Sequence, residues 1–146
     1  SGPMGSFYLR SGERPLLLLA GGTGLAPLLS ILQTLAMQRS ARPVTLLYGV
    51  TRDRDLVKTD ALEAFTGQLP AYRWLPVVAD AQSQCPQRGF VTDHLNDAIL
   101  NDGDVDIYLC GPPPMVNAVS TALRERGISP AGFWYEKFIA SQSAAA

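Results

Sequence analysis

Two glycine turns, each closing an apolar run, are the places where this sequence could do chemistry. Gly21-Gly22-Thr23-Gly24-Leu25-Ala26-Pro27 follows Pro15-Leu16-Leu17-Leu18-Leu19-Ala20. Cys110-Gly111-Pro112-Pro113-Pro114-Met115 follows Val105-Asp106-Ile107-Tyr108-Leu109. In an open parallel sheet, ligands bind outside the carboxyl ends of the strands. Two such turns on one edge suit a dinucleotide held at both ends. The first turn has the make-up of a pyrophosphate cradle. Its glycines allow close backbone approach, and the helix that follows offers unpaired N–H groups. Pro27 fits the first helical turn, where a missing donor costs little. The spacing is not G-x-G-x-x-G, so the ordinary dinucleotide fingerprint does not apply.

The second turn places a thiol where a reacting ring would lie. A free Cys ending a buried strand is ordinarily a small hydrophobe. That explains Cys110 but not its neighbours, since Gly111 clears the path of a flat ring and the prolines stiffen the backbone behind it. Cys110 has no His or other base in its motif, so it is expected to shape and polarise a site rather than attack as a nucleophile.

These elements must be positioned by alternating strands and helices. The pattern predicts strands at Leu16–Ala20, Val44–Gly49, Tyr72–Val78, Val105–Cys110 and Phe133–Lys137. It predicts helices over Ala26–Gln38, Asp60–Phe65, Phe90–Leu100 and Met115–Arg126, with Ala79–Gly89 as a polar loop. Asn101-Asp102-Gly103 reads as a turn, and Gly127 as a helix stop. Such alternation implies a doubly wound α/β domain with right-handed crossovers.

The combination of Gly21–Pro27, Tyr48-Gly49-Val50, Tyr108–Val116 and Tyr135-Glu136-Lys137-Phe138 resembles the nicotinamide-binding domain of the ferredoxin–NADP reductase superfamily. Within it, the chain is most similar to reductase components of bacterial aromatic-ring dioxygenases of the benzoate type. The resemblance implies a five-stranded parallel sheet of order 3-2-1-4-5 with helices on both faces. It implies NADH lying across the sheet edge. Gly21, Gly22, Thr23 and Gly24, with Leu25, Ala26 and Pro27, would take the pyrophosphate. Cys110, Gly111, Pro112, Pro113 and Met115 would take the nicotinamide. Glu136 matches an acidic position near hydride transfer, and Phe138 matches a region where an aromatic group can cover a flavin ring. Cys110 and Glu136 are thus the catalytic candidates. The partners implied are an FAD-binding barrel, a [2Fe–2S] ferredoxin domain and a terminal oxygenase, with FAD and the cluster held outside this chain.

The adenosine end is expected beyond the second strand, at Val50, Thr51, Arg52 and Asp53. An acidic group there accepts from ribose hydroxyls and repels a 2′-phosphate. Asp53 and Asp55 favour NADH on that ground, while Arg52 and Arg54 would do the reverse. Residues 1–10 resemble the closing stretch of a flavin-binding barrel, 11–140 make the NAD-binding domain, and 141–146 read as a frayed tail. The expected origin is therefore a larger reductase, with a stand-alone module as the alternative.

Composition agrees with one domain. The chain has 146 residues, 47% of them hydrophobic, enough for one sizeable core. A net charge of −1 leaves no electrostatic footprint for nucleic acid. No apolar stretch approaches the ~20 residues of a membrane span. Cys85 and Cys110 make neither a disulfide framework nor a metal-binding spacing. No metal is expected, and a reducing cytoplasmic setting is. His94, the only histidine, is expected at the surface or core edge rather than as a base. Two other classes stay open: a nucleotide-binding module without redox chemistry, and a different doubly wound enzyme such as a methyltransferase. Cys110 with Glu136 weighs against the first. The lack of an acidic residue ending the second strand weighs against the second.

Overall fold

The run Leu16-Leu17-Leu18-Leu19 has no polar alternation, which marks a strand covered on both faces. In the computed structural model, which describes residues 7–138, it lies at the centre of the sheet. Strand β1 (Leu16–Gly21) is buried throughout. It pairs in parallel with β2 (Val44–Val50) on one side and β4 (Asp106–Gly111) on the other. Strands β3 (Tyr72–Val78) and β5 (Gly132–Lys137) complete the order β3-β2-β1-β4-β5, all parallel, as expected.

Alternate side chains of β1 feed two cores. Leu16, Leu18 and Ala20 pack with Leu28, Leu32 and Leu35 of helix α1 (Leu25–Met37) and with Leu62 of α2 (Thr59–Ala64). Leu17 and Leu19 pack on the other face. There they meet Leu100 of α3 (Asp97–Leu100) and Val116, Val119 and Leu123 of α4 (Pro113–Glu125). The chain moves outward from β1 through β2 to β3, then crosses back to β4 on the far side of β1. The carboxyl ends of β1 and β4 therefore flank the point where the winding reverses, the usual ligand crevice of such sheets.

One expected element is different. Phe90–Leu100 is not a single helix but a 3₁₀ turn at Val91–His94 followed by the one-turn α3. The reason is a second start signal. The Asp93 carboxylate accepts from the Phe90 N–H at 2.8 Å, and the Asn96 side chain accepts from the Ile99 N–H at 3.0 Å. Each cap begins its own turn, and Leu95 between them is extended. His94 lies in the 3₁₀ turn with Nε2 2.8 Å from the Arg88 carbonyl. The other bounds agree to within two residues, and β3 agrees at both ends. Helix α4 takes in Pro113 and Pro114, whose missing N–H groups are unneeded at N1 and N2.

Leu18 is fully buried where β1 meets α1. Leu18→Ala should lower stability by about 2–5 kcal/mol in urea denaturation, the range for cavities in well-packed cores.

Candidate functional site

The backbone turns at the carboxyl ends of β1 and β4 approach so closely that side chains are excluded. A Cβ on Gly24 would overlap the Cys110 carbonyl, and one on Gly111 would come within 3.6 Å of the Gly21 backbone. Gly22 has φ +57, which side-chain-bearing residues rarely adopt. Met115 from α4 lies across the junction. Its thioether occupies the space that a Cβ on Gly21 or Gly111 would need. No side chain caps α1 or α4, and neither first turn carries an acidic residue. The N-terminus of α1, with the Leu25 and Ala26 N–H groups ahead of Pro27, faces the sheet edge as an anion requires, whereas α4 opens on two prolines and its Met115 N–H donates to the Pro112 carbonyl at 3.0 Å.

Above this junction lies a cleft of about 860 Å³. Its floor is Gly21, Gly22 and Thr23, then Gly49, Val50 and Thr51 at the end of β2. Pro112, Pro114, Met115 and Ala118 form one wall. Arg54, Asp55 and Val57 form another, and Gly89-Phe90-Val91-Thr92 lies opposite. The volume is that of an ordinary cofactor site. The cradle fits a dinucleotide: bare backbone for a pyrophosphate, and apolar walls extending away from it on both sides.

The structure brings together Gly21, Gly22, Thr23, Val50, Thr51, Pro112 and Met115 from the sequence analysis. Gly24, Leu25, Ala26 and Pro27 carry the turn into α1 behind them, with Leu25 pointing into the core. Gly111 and Pro113 shape the β4–α4 turn without lining the cleft. Beyond β2, the chain makes a 3₁₀ turn at Asp53–Asp55. The Asp55 carboxylate accepts from the Arg52 N–H at 3.0 Å. Asp53 accepts from the Ser83 hydroxyl at 2.6 Å. Arg54 and Asp55 line the cleft, whereas Arg52 and Asp53 lie outside its lining.

Cys110 and Glu136 are neighbours in register across β4 and β5. The thiol is fully buried and donates to Glu136 Oε1 at 3.9 Å. Burial first, and then the nearby carboxylate, push the thiol up from 9.0 to about 12. Cys110 is therefore a neutral thiol, which agrees with a shaping role and not with nucleophilic attack. Glu136 is 4% exposed, and its Oε2 has no partner among the described residues. Phe138 packs at the edge of the same core, its N–H bonded to the Gly111 carbonyl at 2.9 Å.

Phe90 carries no signal of its own in the sequence, where the pattern predicts a helix over Phe90–Leu100, whereas here it is extended ahead of the 3₁₀ turn. It is 68% exposed and lines the cleft. A large apolar ring left in water at the mouth of a cleft is the signal that was available, and only its exposure reveals it. Asp80 was also passed over. It follows β3, the neighbour of β2, with its N–H on the Thr51 carbonyl at 2.9 Å. It adds a third carboxylate to this corner. Among the described residues, no cluster of His, Cys, Asp or Glu could hold a metal ion.

A parallel sheet of this order, with two glycine turns sharing one dinucleotide-sized cleft, defines a nicotinamide nucleotide-binding domain of the ferredoxin reductase kind. Residues 18–121 match the family described as the oxidoreductase NAD-binding domain, and the chain belongs to that family. It is 55% identical over 141 residues to the toluate 1,2-dioxygenase electron transfer component of Pseudomonas putida, covering 97% of this chain and 42% of that one. It is 50% identical over 139 residues to the 2-halobenzoate 1,2-dioxygenase electron transfer component of Burkholderia cepacia, covering 94% and 41%. The chain thus spans about two-fifths of the length of these relatives. The crystal structure of an Amycolatopsis cytochrome P450 reductase superposes with a TM-score of 0.81 at 34% identity, over 94% of this chain and 42% of that one.

Two outcomes check this geometry. Gly24→Ala should cost about 1–3 kcal/mol in chemical denaturation, the usual penalty for forcing atoms into a filled space. Thiol reagents at neutral pH should label Cys85 and spare Cys110. Because the folded thiol sits above its unfolded value, its contribution to stability is complete below pH 9.0 and is lost as pH rises towards about 12. Cys110→Ser should flatten the alkaline limb of the unfolding curve accordingly.

Proposed function

We propose that this chain is the NADH-binding domain of a flavin-dependent reductase that passes electrons to an aromatic-ring dioxygenase. The observation that carries this reading is the single cleft shared by the two glycine turns. The relatives add that domains of this kind occur in dioxygenase electron transfer components. The nicotinamide supplies the hydride when bound, and the protein's part is to position it.

Gly21, Gly22 and Thr23 with the α1 N-terminus receive the pyrophosphate. Phe90 offers its face to the adenine. Asp53, Asp55 and Asp80 make the ribose corner acidic, which disfavours a 2′-phosphate, although Arg54 stands among them. Pro112, Pro113 and Met115 support the nicotinamide, and Gly111 keeps its approach clear. Cys110, buried beneath the Gly111 turn, gives that end a neutral, polarisable backing. Glu136 holds a carboxylate oxygen ready for a donor that these residues do not provide. The acceptor would be an FAD held in a separate barrel domain, and a [2Fe–2S] centre outside this chain would supply one-electron chemistry. The likeness to a cytochrome P450 reductase favours, as a second reading, the same role toward a different oxygenase.

Calorimetry on this chain should give tighter binding of NADH than of NADPH, and the reverse order overturns the cofactor assignment. Phe90→Ala should weaken both nucleotides alike, by about 1–3 kcal/mol if a base stacks on the ring. The chain alone should hold no flavin and should not reduce ferricyanide with NADH. A yellow preparation overturns the division of labour.

A further inference from the structure

The most elaborate polar construction among the described residues lies at the opposite end of the sheet from the cleft. Arg42, just ahead of β2, is buried with its side chain 4% exposed. Its guanidinium is used on three sides. Nε donates to the Arg14 carbonyl at 2.6 Å, Nη1 to the Arg10 carbonyl at 3.0 Å, and Nη2 to Asp106 Oδ2 at 2.8 Å. The other Asp106 oxygen accepts from Arg14 Nη1 at 3.1 Å. Gly12, with φ +143, lets the chain bend around the guanidinium, 3.6 Å from where its Cβ would stand. Gly132 leaves room on the far side, since a Cβ there would meet Asp106 Oδ1 at 2.7 Å.

A buried arginine that spends two of its three contacts on carbonyls of residues 10 and 14 is placed to hold that segment. The segment then climbs the face that carries α1. The Arg10 N–H donates to the Tyr108 hydroxyl at 2.9 Å. The Arg10 guanidinium lies 4.6 Å over the Trp134 ring, which stacks on Tyr108 at 4.9 Å. Phe7 meets Tyr108 edge-on at 5.9 Å. Cys110 and Glu136 stand two residues further along the same strands and on the same side.

We propose that Arg42 and Asp106 clamp residues 7–14 to the sheet as a fixed arm and, taking the flavoprotein reading above as given, that this arm sets where the flavin-binding domain sits over Cys110 and Glu136. Arg42 is then a positioning residue that acts from the far end of the sheet. It touches neither nucleotide nor flavin.

Hydrogen exchange on this chain tests the clamp. Arg42→Met should speed amide exchange across residues 7–14, leave the central amides of β1 and β4 protected, and leave the NADH dissociation constant unchanged. Unchanged exchange in the arm overturns the clamp, and so does equal loosening of the whole sheet. Tyr108→Phe gives a second reading that keeps the buried ion pair. It should raise exchange of the Arg10 amide by at least about fivefold, the size of one lost hydrogen bond, and an unchanged rate there also overturns the clamp. The positioning role is read in the longer reductase by stopped-flow flavin reduction. Arg42→Met should slow reduction at least about tenfold, as small misplacements do, with half-saturation by NADH unchanged and Arg42→Lys intermediate. A full rate in Arg42→Met overturns the positioning role. A longer protein that holds no flavin overturns the flavoprotein reading, and exchange in the arm still decides the clamp.

Discussion

The close approach of two backbone turns is the constraint on which the rest of this structure depends. Gly24 lies against the Cys110 carbonyl, and Gly21 lies beside Gly111 under the Met115 thioether. That contact is possible only because β1 and β4 are adjacent and parallel, so that both end on the same edge. It brings the uncapped N-terminus of α1 to this edge and leaves a cleft walled by apolar side chains. Any side chain at the junction would push the strands apart or fill the cradle. The leucine run of β1, the two cores and the crossover from β3 to β4 all serve to hold this contact.

The polar groups of the domain are sorted by strand end. At the carboxyl end the sheet offers bare backbone and a ring of small residues. Its buried thiol stays neutral because burial and Glu136 both oppose its ionisation. At the amino end, Arg42 and Asp106 are buried as a pair whose remaining hydrogen-bonding capacity is taken up by carbonyls of the preceding segment and by Arg14. A buried ion pair is weak support for stability taken alone, because desolvation opposes the attraction. It does fix geometry, since the buried Arg42 Nε and Nη1 donors would lose their carbonyl acceptors if the segment lifted away.

The sequence by itself determined the class of fold. Strands that read as unbroken apolar runs must be covered on both faces, and runs alternating with helical periodicity leave a doubly wound sheet as the economical solution. The glycine turns were legible for the same local reason: Gly21–Gly24 and Gly111 are residues that matter by lacking a side chain. The strand order was implied by resemblance rather than by pattern, and the pairing of β1 with β2 and β4 agrees with it.

Only the tertiary structure decided which residues face the cleft. Sequence singles out Asp53 over Asp55 for the ribose end, yet Asp53 bonds Ser83 from a different loop and Asp55 lines the cleft. Phe90 looked like a helical residue until Asp93 and Asn96 divided the segment and left its ring exposed. Cys110 and Glu136 became a pair through strand register, 26 residues apart in sequence. Arg42 drew no attention as a lone charge before a strand, because its partners at residues 10, 14 and 106 are distant along the chain. Local pattern reports what each residue tolerates. Which groups meet is set by non-local packing, and that becomes visible only when the sheet is assembled.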